Sequence, residues 1–270
     1  MTDQELVDIM EQVWQSIAGL CSPFTERDWK TPTDCPGWSV QDQLSHLAGS
    51  ECRLLGRPAP DHTPPEMSHV KNDTGRRNEV VVDWRRPRTG AEVLEEFQEA
   101  TAERLKLLRA LTPDEFEAET DTPIGRAPMR DFIRIRIFDA WVHEQDMRRA
   151  LGRAGNLAGP VAEHSVGRVA MAMPYVVAKK AQTPDGATVV FDITGPAGRI
   201  VPVGVEGTRA RELDQAPARP TVSLTMEAET FACLGCGRWE PAQVIGSGKV
   251  KIRGDRALGE AIVAQMNIMI

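Results

Sequence analysis

The stretch Ile135-Arg136-Ile137-Phe138-Asp139-Ala140-Trp141-Val142-His143-Glu144-Gln145-Asp146-Met147 constrains the fold more than any other part of the chain. It reads as a largely apolar helix with an acid, a histidine and a second acid along one face, because residues three and four apart sit one turn from each other. Such a helix is driven into a core. A carboxylate flanked by Phe138 and Trp141 is costly to bury unless it meets a cation or strong hydrogen-bond donors. On spacing alone two partnerships stand open. Asp-x-x-x-His on a helix is most often a hydrogen-bonded pair; Asp and His are also suitable ligands for a zinc-like divalent ion. A tight metal site needs a third ligand. Of the five histidines, His46 lies in a helical pattern (Ser39-Val-Gln-Asp-Gln-Leu-Ser-His46-Leu-Ala), whereas His62 and His69 fall in a Pro-rich loop and His164 on a different predicted helix. Three ligands from two packed helices leave coordination positions open, as catalytic zinc sites do.

The rest of the first half repeats the helical period. Apolar residues at Leu6, Ile9, Met10, Val13, Trp14, Ile17 and Leu20 predict a helix over 3–20. Asp34-Cys-Pro-Gly-Trp38-Ser39 is a turn that delivers Ser39 as the N-cap of a helix to about Leu55. Residues 56–88 show no period and read as one long connection, of the kind that is often functional or mobile. Its Arg76-Arg77 and Arg85-Arg86 pairs could meet an anionic ligand, although solvated loop charge is the commoner use. A third helix opens at Thr89-Gly90, Thr112-Pro113-Asp-Glu reads as a cap with Pro at the first helical position, and a fourth helix spans 128–151. Four amphipathic helices with one long connection suggest a four-helix bundle. The second half changes character. A helix over 159–181 precedes strands at 187–194, 199–205, 221–225 and 250–253, with helices at 227–236 and from Asp255 to about Met266. That is an α+β layer. The expected organisation is a helical bundle over 1–155 followed by a smaller α+β domain over 156–270.

Composition narrows the function. A chain of 270 residues is long for one domain and natural for two. A net charge of −7 argues against general nucleic-acid binding. No run is long enough for a membrane-spanning helix, and Met1-Thr-Asp-Gln-Glu5 has neither the basic nor the apolar region of a secretory signal, so a cytoplasmic location is expected. Reduced thiols are then the default for the five cysteines. Cys233-Leu-Gly-Cys236 has no second pair to complete a zinc knuckle, and Phe231, Ala232 and Leu234 around it predict buried small residues.

Trp29, then Cys35-Pro-Gly-Trp38-Ser39-Val40, then His46-Leu47-Ala48, resembles the opening of the mycothiol-dependent maleylpyruvate isomerase family, which belongs to the DinB-like metal-binding helical bundles. Asp139-Ala-Trp-Val-His143-Glu-Gln-Asp146 is similar to that family's second signature, with Asp where the family often has Glu. The C-terminal half, through Gly235-Cys-Gly-Arg238 and Gly254-Asp255-Arg256-Ala257-Leu258, resembles the sterol-carrier-like domain that many members append. The resemblance implies a DinB-like bundle, with His46, Asp139 and His143 as three ligands of a divalent metal, usually zinc. It also implies mycothiol as thiol cofactor or cosubstrate. Asp146 is the candidate for orienting a ligand histidine through its distal N–H; pairing with Arg149 or Arg153 is its equally common alternative.

The leading function on these residues is thiol chemistry. A metal lowers the pKa of a small-molecule thiol, whose thiolate attacks an electrophilic carbon in an isomerase or an S-transferase. Arg238, Arg253 and Arg256 are candidates for binding a substrate carboxylate through the guanidinium fork. Arg134 and Arg136, within the apolar helix, are candidates for pairing with internal acids. Two alternatives stand beside this reading. One is a metal-dependent hydrolase, disfavoured because Glu144 points about 100° away from His143. The other is a non-catalytic small-molecule or lipid-binding protein with a structural metal. Oligomeric state is not legible.

Overall fold

The structure, a computed structural model, describes residues 1–269. The chain forms two compact units, Met1–Asn156 and Leu157–Ile270.

The first unit is built on four long helices, α1 (Asp3–Cys21), α3 (Val40–Leu54), α5 (Gly90–Ala110) and α7 (Met129–Ala150), with short helices α2 (Glu26–Trp29), α4 (Asp73–Asp83) and α6 (Pro113–Glu117) between them. Local chemistry sets most of the helix starts. Thr2, Thr25, Ser39, Thr89 and Thr112 each accept from the backbone N–H three residues on, and the acid at that position answers to the cap's own N–H. Helix α7 has no side-chain cap. It follows a hairpin of β1 (Glu119–Thr122) and β2 (Gly125–Pro128), and Met129 N–H donates back to the Ala118 carbonyl.

The connection expected over 56–88 is not one irregular segment, since α4 occupies Asp73–Asp83. Its period is hidden because only Glu79 and Val82 of that helix are buried, and one of those is an acid. An apolar-stripe rule cannot see a helix that docks through a carboxylate. The charges of 85–86 are also drawn inward. Arg85 is 3% exposed and forks onto Glu96, and Arg86 meets Asp42, Glu79 and Asp83.

Two glycines are demanded by geometry. Gly37, with φ +79°, follows Pro36, and Trp38 N–H returns to the Cys35 carbonyl at 3.0 Å, which is the type II turn that aims Trp38 inward. At Gly90 a Cβ would stand 2.2 Å from carbons of the Trp29 ring, which is itself 2% exposed. Gly90→Ala is therefore expected to cost about 1–3 kcal/mol through overpacking. Urea melts of the two proteins check this; equal midpoints would show that the indole moves aside freely.

The second unit opens with α8 (Pro160–Met171) and α9 (Met173–Tyr175), which runs into a π-helical turn at Val176–Lys180. A five-stranded sheet follows in the order β5-β4-β3-β6-β7, formed by β3 (Thr188–Thr194), β4 (Arg199–Glu206), β5 (Arg209–Glu212), β6 (Val222–Glu227) and β7 (Val250–Gly254). Only β3 and β6 are parallel. Along β6 the alternation Val222, Leu224, Met226 points one face inward, and Phe191 of β3 meets Phe231 of α10 (Ala228–Gly235) edge-on at 6.1 Å. Helices α11 (Pro241–Gly246) and α12 (Arg256–Ala264) complete the layer. Strand β5 and helix α11 escape the sequence reading because both are short and largely exposed. Cys233 on α10 and Cys236 at its C-cap are both buried, packed as small core residues. Among the described residues no helix is long and apolar enough to cross a membrane.

Candidate metal centre

The candidate ligands sit on the two most enclosed helices of the first unit. Every residue from Val40 to Cys52 in α3 is buried, and so is every residue from Ala140 to Met147 in α7. Both stretches contain polar and ionisable side chains, which must then find partners inside the protein.

Three of them converge. His46 Nε2 lies 3.3 Å from Asp139 Oδ2, and His143 Nε2 lies 3.5 Å from Asp139 Oδ1. One ligand atom from each residue falls within 4.8 Å of the other two. Ligands at about 2.0–2.1 Å from a tetrahedral zinc stand about 3.3 Å apart. The two histidine–carboxylate separations are close to the edges of such a polyhedron, each to a different Asp139 oxygen, and two imidazoles with one carboxylate make a borderline-soft donor set that suits zinc. The histidine side chains are 7% and 9% exposed and that of Asp139 is 23% exposed, so the carboxylate edge is where an external molecule gains access.

The electrostatics prepare the ligand forms a metal needs. Burial would raise the Asp139 pKa, but the Arg136 guanidinium, His46 and His143 outweigh it and hold the carboxyl well below its usual range. Burial pushes His46 down, against the pull of Asp139, and favours the neutral ring. Metal ligands must be a carboxylate and neutral imidazoles.

The surrounding residues fix the geometry. His143 Nδ1–H donates to Gln43 Oε1, leaving Nε2 with its lone pair toward Asp139. Gln43 is held in turn because its Nε2–H donates to Thr33 Oγ1 at 2.6 Å. Asp146 stands 3.8 Å from the same His143 nitrogen, beyond hydrogen-bond reach, and pairs with Arg149. The partner of the distal N–H is thus Gln43, and Asp146 takes the arginine-paired alternative. Gln43 was visible in sequence only as one polar residue on a predicted helix; nothing in a spacing rule pairs it with a residue 100 positions away. His46 Nδ1 has no hydrogen-bond partner among the described residues. Packing orients that ring, with Trp38 at 5.4 Å and His143 at 4.6 Å between centroids.

Arg136 pairs with internal acids, as its place in an apolar helix suggests. It donates to Asp139 Oδ2 and, through Nη2, to Glu51 Oε1 at 2.7 Å; Arg104 reaches the other Glu51 oxygen at 3.5 Å. Arg134 lies nearer the surface with Asp131. Glu144 is turned away from the cluster, bonded to Ser16, Arg148 and Asn156. Of the arginines considered for a substrate carboxylate, all three lie in the second unit. Arg238 donates to the Cys236 carbonyl at 3.1 Å, Arg253 is exposed on β7, and Arg256 is exposed and pairs with Glu260 at 2.8 Å.

Known proteins resolve the two units into two families. The mycothiol maleylpyruvate isomerase N-terminal domain matches residues 10–148, and the SCP-2 sterol transfer family matches residues 175–266. Among solved structures, the chain is similar to the crystal structure of the mycothiol-dependent maleylpyruvate isomerase, with a TM-score of 0.60 and 16% identity over 93% of each chain. It is similar to a histidine-to-alanine mutant of such an isomerase with a TM-score of 0.58 and 15% identity, again over 93% of each. At these identities the likeness shows the fold. No curated protein matches the chain in sequence.

Proposed function

The chain belongs to the mycothiol maleylpyruvate isomerase N-terminal domain family, joined to an SCP-2 sterol transfer domain, and from that premise we propose that it is a metal-dependent enzyme using a low-molecular-weight thiol, mycothiol, to isomerise or S-conjugate a small electrophile. The observation that carries the reading is the His46–Asp139–His143 cluster, two imidazoles and a carboxylate that each bring a ligand atom within 4.8 Å of the others. A divalent metal, zinc above all, would be held by these three side chains and would supply Lewis acidity that stabilises a thiolate at neutral pH.

The chain's own residues support this chemistry in definite ways. Gln43 keeps His143 in the tautomer whose Nε2 is a donor atom. Trp38, whose ring faces both histidines at 5.4 and 5.8 Å, shields the cluster from water on that side. Arg136, itself held by Glu51, donates to Asp139 and fixes its orientation, which matters because Asp is one methylene shorter than Glu. Glu144, bonded to Ser16, Arg148 and Asn156, is unavailable as a general base for water. That favours a thiol nucleophile over hydrolysis. Arg238, Arg253 and Arg256 remain candidates for a substrate carboxylate.

Gln43→Ala is expected to leave the fold intact and weaken metal binding by about 10–100-fold, the usual effect of removing a partner that orients a ligand histidine. Competition against a chromophoric chelator reads it, and unchanged affinity would remove Gln43 from the site. The proposal as a whole is tested by assaying the metal-loaded protein with mycothiol and a panel of cis-alkene and alkyl electrophiles. Turnover that needs both thiol and metal supports it. The match of residues 175–266 to the SCP-2 sterol transfer family favours a second reading, a carrier of apolar ligands. That reading leads if fluorescent fatty acyl probes bind tightly while no thiol chemistry is seen.

A further inference from the structure

Residues 58–71 run without helix or strand between the end of α3 and the Asn72 cap of α4. Pro58, Pro60, Pro64 and Pro65 have no N–H to offer. The backbone hydrogen bond from Val70 N–H to the Met67 carbonyl, at 3.0 Å, stays inside the run, as does that from Ser68 N–H to Glu66 Oε1 at 2.8 Å. Pro64 is the one buried residue of the fourteen. Among the described residues, two hydrogen bonds tie the run to the rest of the chain. His62 Nε2 bonds to Asp83 Oδ2, and His69 Nε2 bonds to Glu79 Oε2 at 2.9 Å. Both acceptors stand on α4, one turn apart. A segment with so few attachments opens locally far more readily than the helices around it.

The His69 attachment reaches the wall of the candidate metal centre. Glu79 is buried, and its Oε2 accepts from both Trp38 Nε1–H and His69 Nε2–H, each at 2.9 Å. The His69 ring also lies on the turn that carries Trp38, since a Cβ on Gly37 would stand 2.8 Å from its Cγ and Nδ1. Trp38 in turn faces His46 and His143 at 5.4 and 5.8 Å between centroids. His69 thereby acts on Trp38 twice, through a shared acceptor and by packing. Neither acid depends on its histidine for charge. Arg86 reaches the other Glu79 oxygen at 2.8 Å and the other Asp83 oxygen at 2.6 Å. Both histidines can therefore withdraw without leaving a buried carboxylate unpaired, which removes the main barrier to opening.

We propose that residues 58–71 are a releasable strap, latched by His62 and His69, and that His69 is a positioning residue for Trp38, so that opening the strap uncovers the Trp38 side of the His46–Asp139–His143 cluster. The consequence for a bound metal rests on the metal-thiol reading above; the strap itself does not. The test is hydrogen exchange of the Trp38 indole N–H in the full chain without metal, its NMR signal assigned by its absence in Trp38→Phe. In wild type, relative to intrinsic rates, this proton is expected to exchange roughly 100-fold faster than the amides of Leu44 and Leu47 in α3, and urea below the unfolding transition is expected to leave its rate unchanged, as for a local opening. His69→Ala is expected to speed its exchange by about 10–100-fold, the worth of a hydrogen bond to a carboxylate, with the melting temperature little changed. His69→Gln, whose amide can still donate to Glu79, is expected to recover part of the protection. Asp61→Asn, an exposed change on the same strap, is expected to leave the exchange rate as it is. In zinc-loaded protein, the rate at which a chelator strips the metal is expected to rise with the indole exchange rate across these variants. Wild-type exchange that matches the α3 amides in rate and in urea dependence would overturn the strap, as would equal exchange in wild type and His69→Ala. Faster indole exchange with an unchanged rate of metal loss would overturn its hold on the cluster. A chain that never binds zinc but shows the expected exchange would fail the functional reading and leave the strap standing.

Discussion

Purified protein is expected to carry about one equivalent of a divalent metal, and His46→Ala or His143→Ala is expected to lose it almost completely. The expectation follows from counting donors. With three protein ligands, removal of one leaves two, and neither pairing retains the geometry: His46 and His143 come from different helices, and Asp139 bridges them at 3.3 and 3.5 Å. Changing a residue that merely orients a ligand weakens binding by about 10–100-fold, so removing a ligand has to exceed that. Asp139→Asn is the sharper variant. It keeps the shape and can still hydrogen-bond to either ring, but it removes the anion that makes the donor set attractive to a cation. Elemental analysis of the four proteins decides between a metal ligand set and a plain hydrogen-bonded triad. Zinc near one equivalent in wild type and near zero in the three variants establishes the site. A folded wild type that takes up no metal from added zinc removes the basis of the thiol mechanism.

The second large effect concerns stability. Glu51 is 1% exposed and stands between two buried or nearly buried guanidinium groups, Arg136 at 2.7 Å and Arg104 at 3.5 Å. Glu51→Gln preserves volume and one acceptor but leaves Arg136 with Asp139 alone and takes from Arg104 the carboxylate it reaches at 3.5 Å. Breaking a buried ion pair by removing one partner costs about 3–5 kcal/mol, because the remaining charge stays desolvated. For a domain of this size that corresponds to a loss of roughly 6–20 °C in melting temperature. The double variant Glu51→Gln/Arg136→Met is expected to lose less than the sum of the single ones, since it also removes the stranded charge. Additive losses would show that Glu51 and Arg136 do not depend on each other. Metal affinity is expected to fall in Glu51→Gln as well, because Arg136 is then free to draw Asp139 away from the histidines.

Much of the architecture was legible before any coordinates. The long helices of the first half announce themselves because each carries an apolar stripe and all but α7 begin at a Ser or Thr whose side chain can cap them; Ser39 with Asp42 and Thr89 with Glu92 are plain examples. The main strands of the second half show as β-branched runs bounded by glycine turns. Helix α4 was not legible, because its buried contact is Glu79, which accepts from Trp38 Nε1 at 2.9 Å and is reached by His69 Nε2 at 2.9 Å. A polar residue that docks a helix looks in sequence like one more residue of a loop.

The site divides along the same line. Asp139 and His143 were legible because they are one helical turn apart, and their spacing is a local property of the backbone. His46 could be nominated as a histidine on a predicted helix, and the family resemblance selects it. That Gln43 rather than Asp146 accepts from the His143 N–H, that Arg136, held by Glu51, braces Asp139, and that Gly49 lies against Val81 were decided by how α3 packs on α7 and α4. Local rules fix which residues share a face over one or two turns. Which faces meet depends on the packing of the whole core, where helix rotation by one residue, about 100°, would replace every one of these partners.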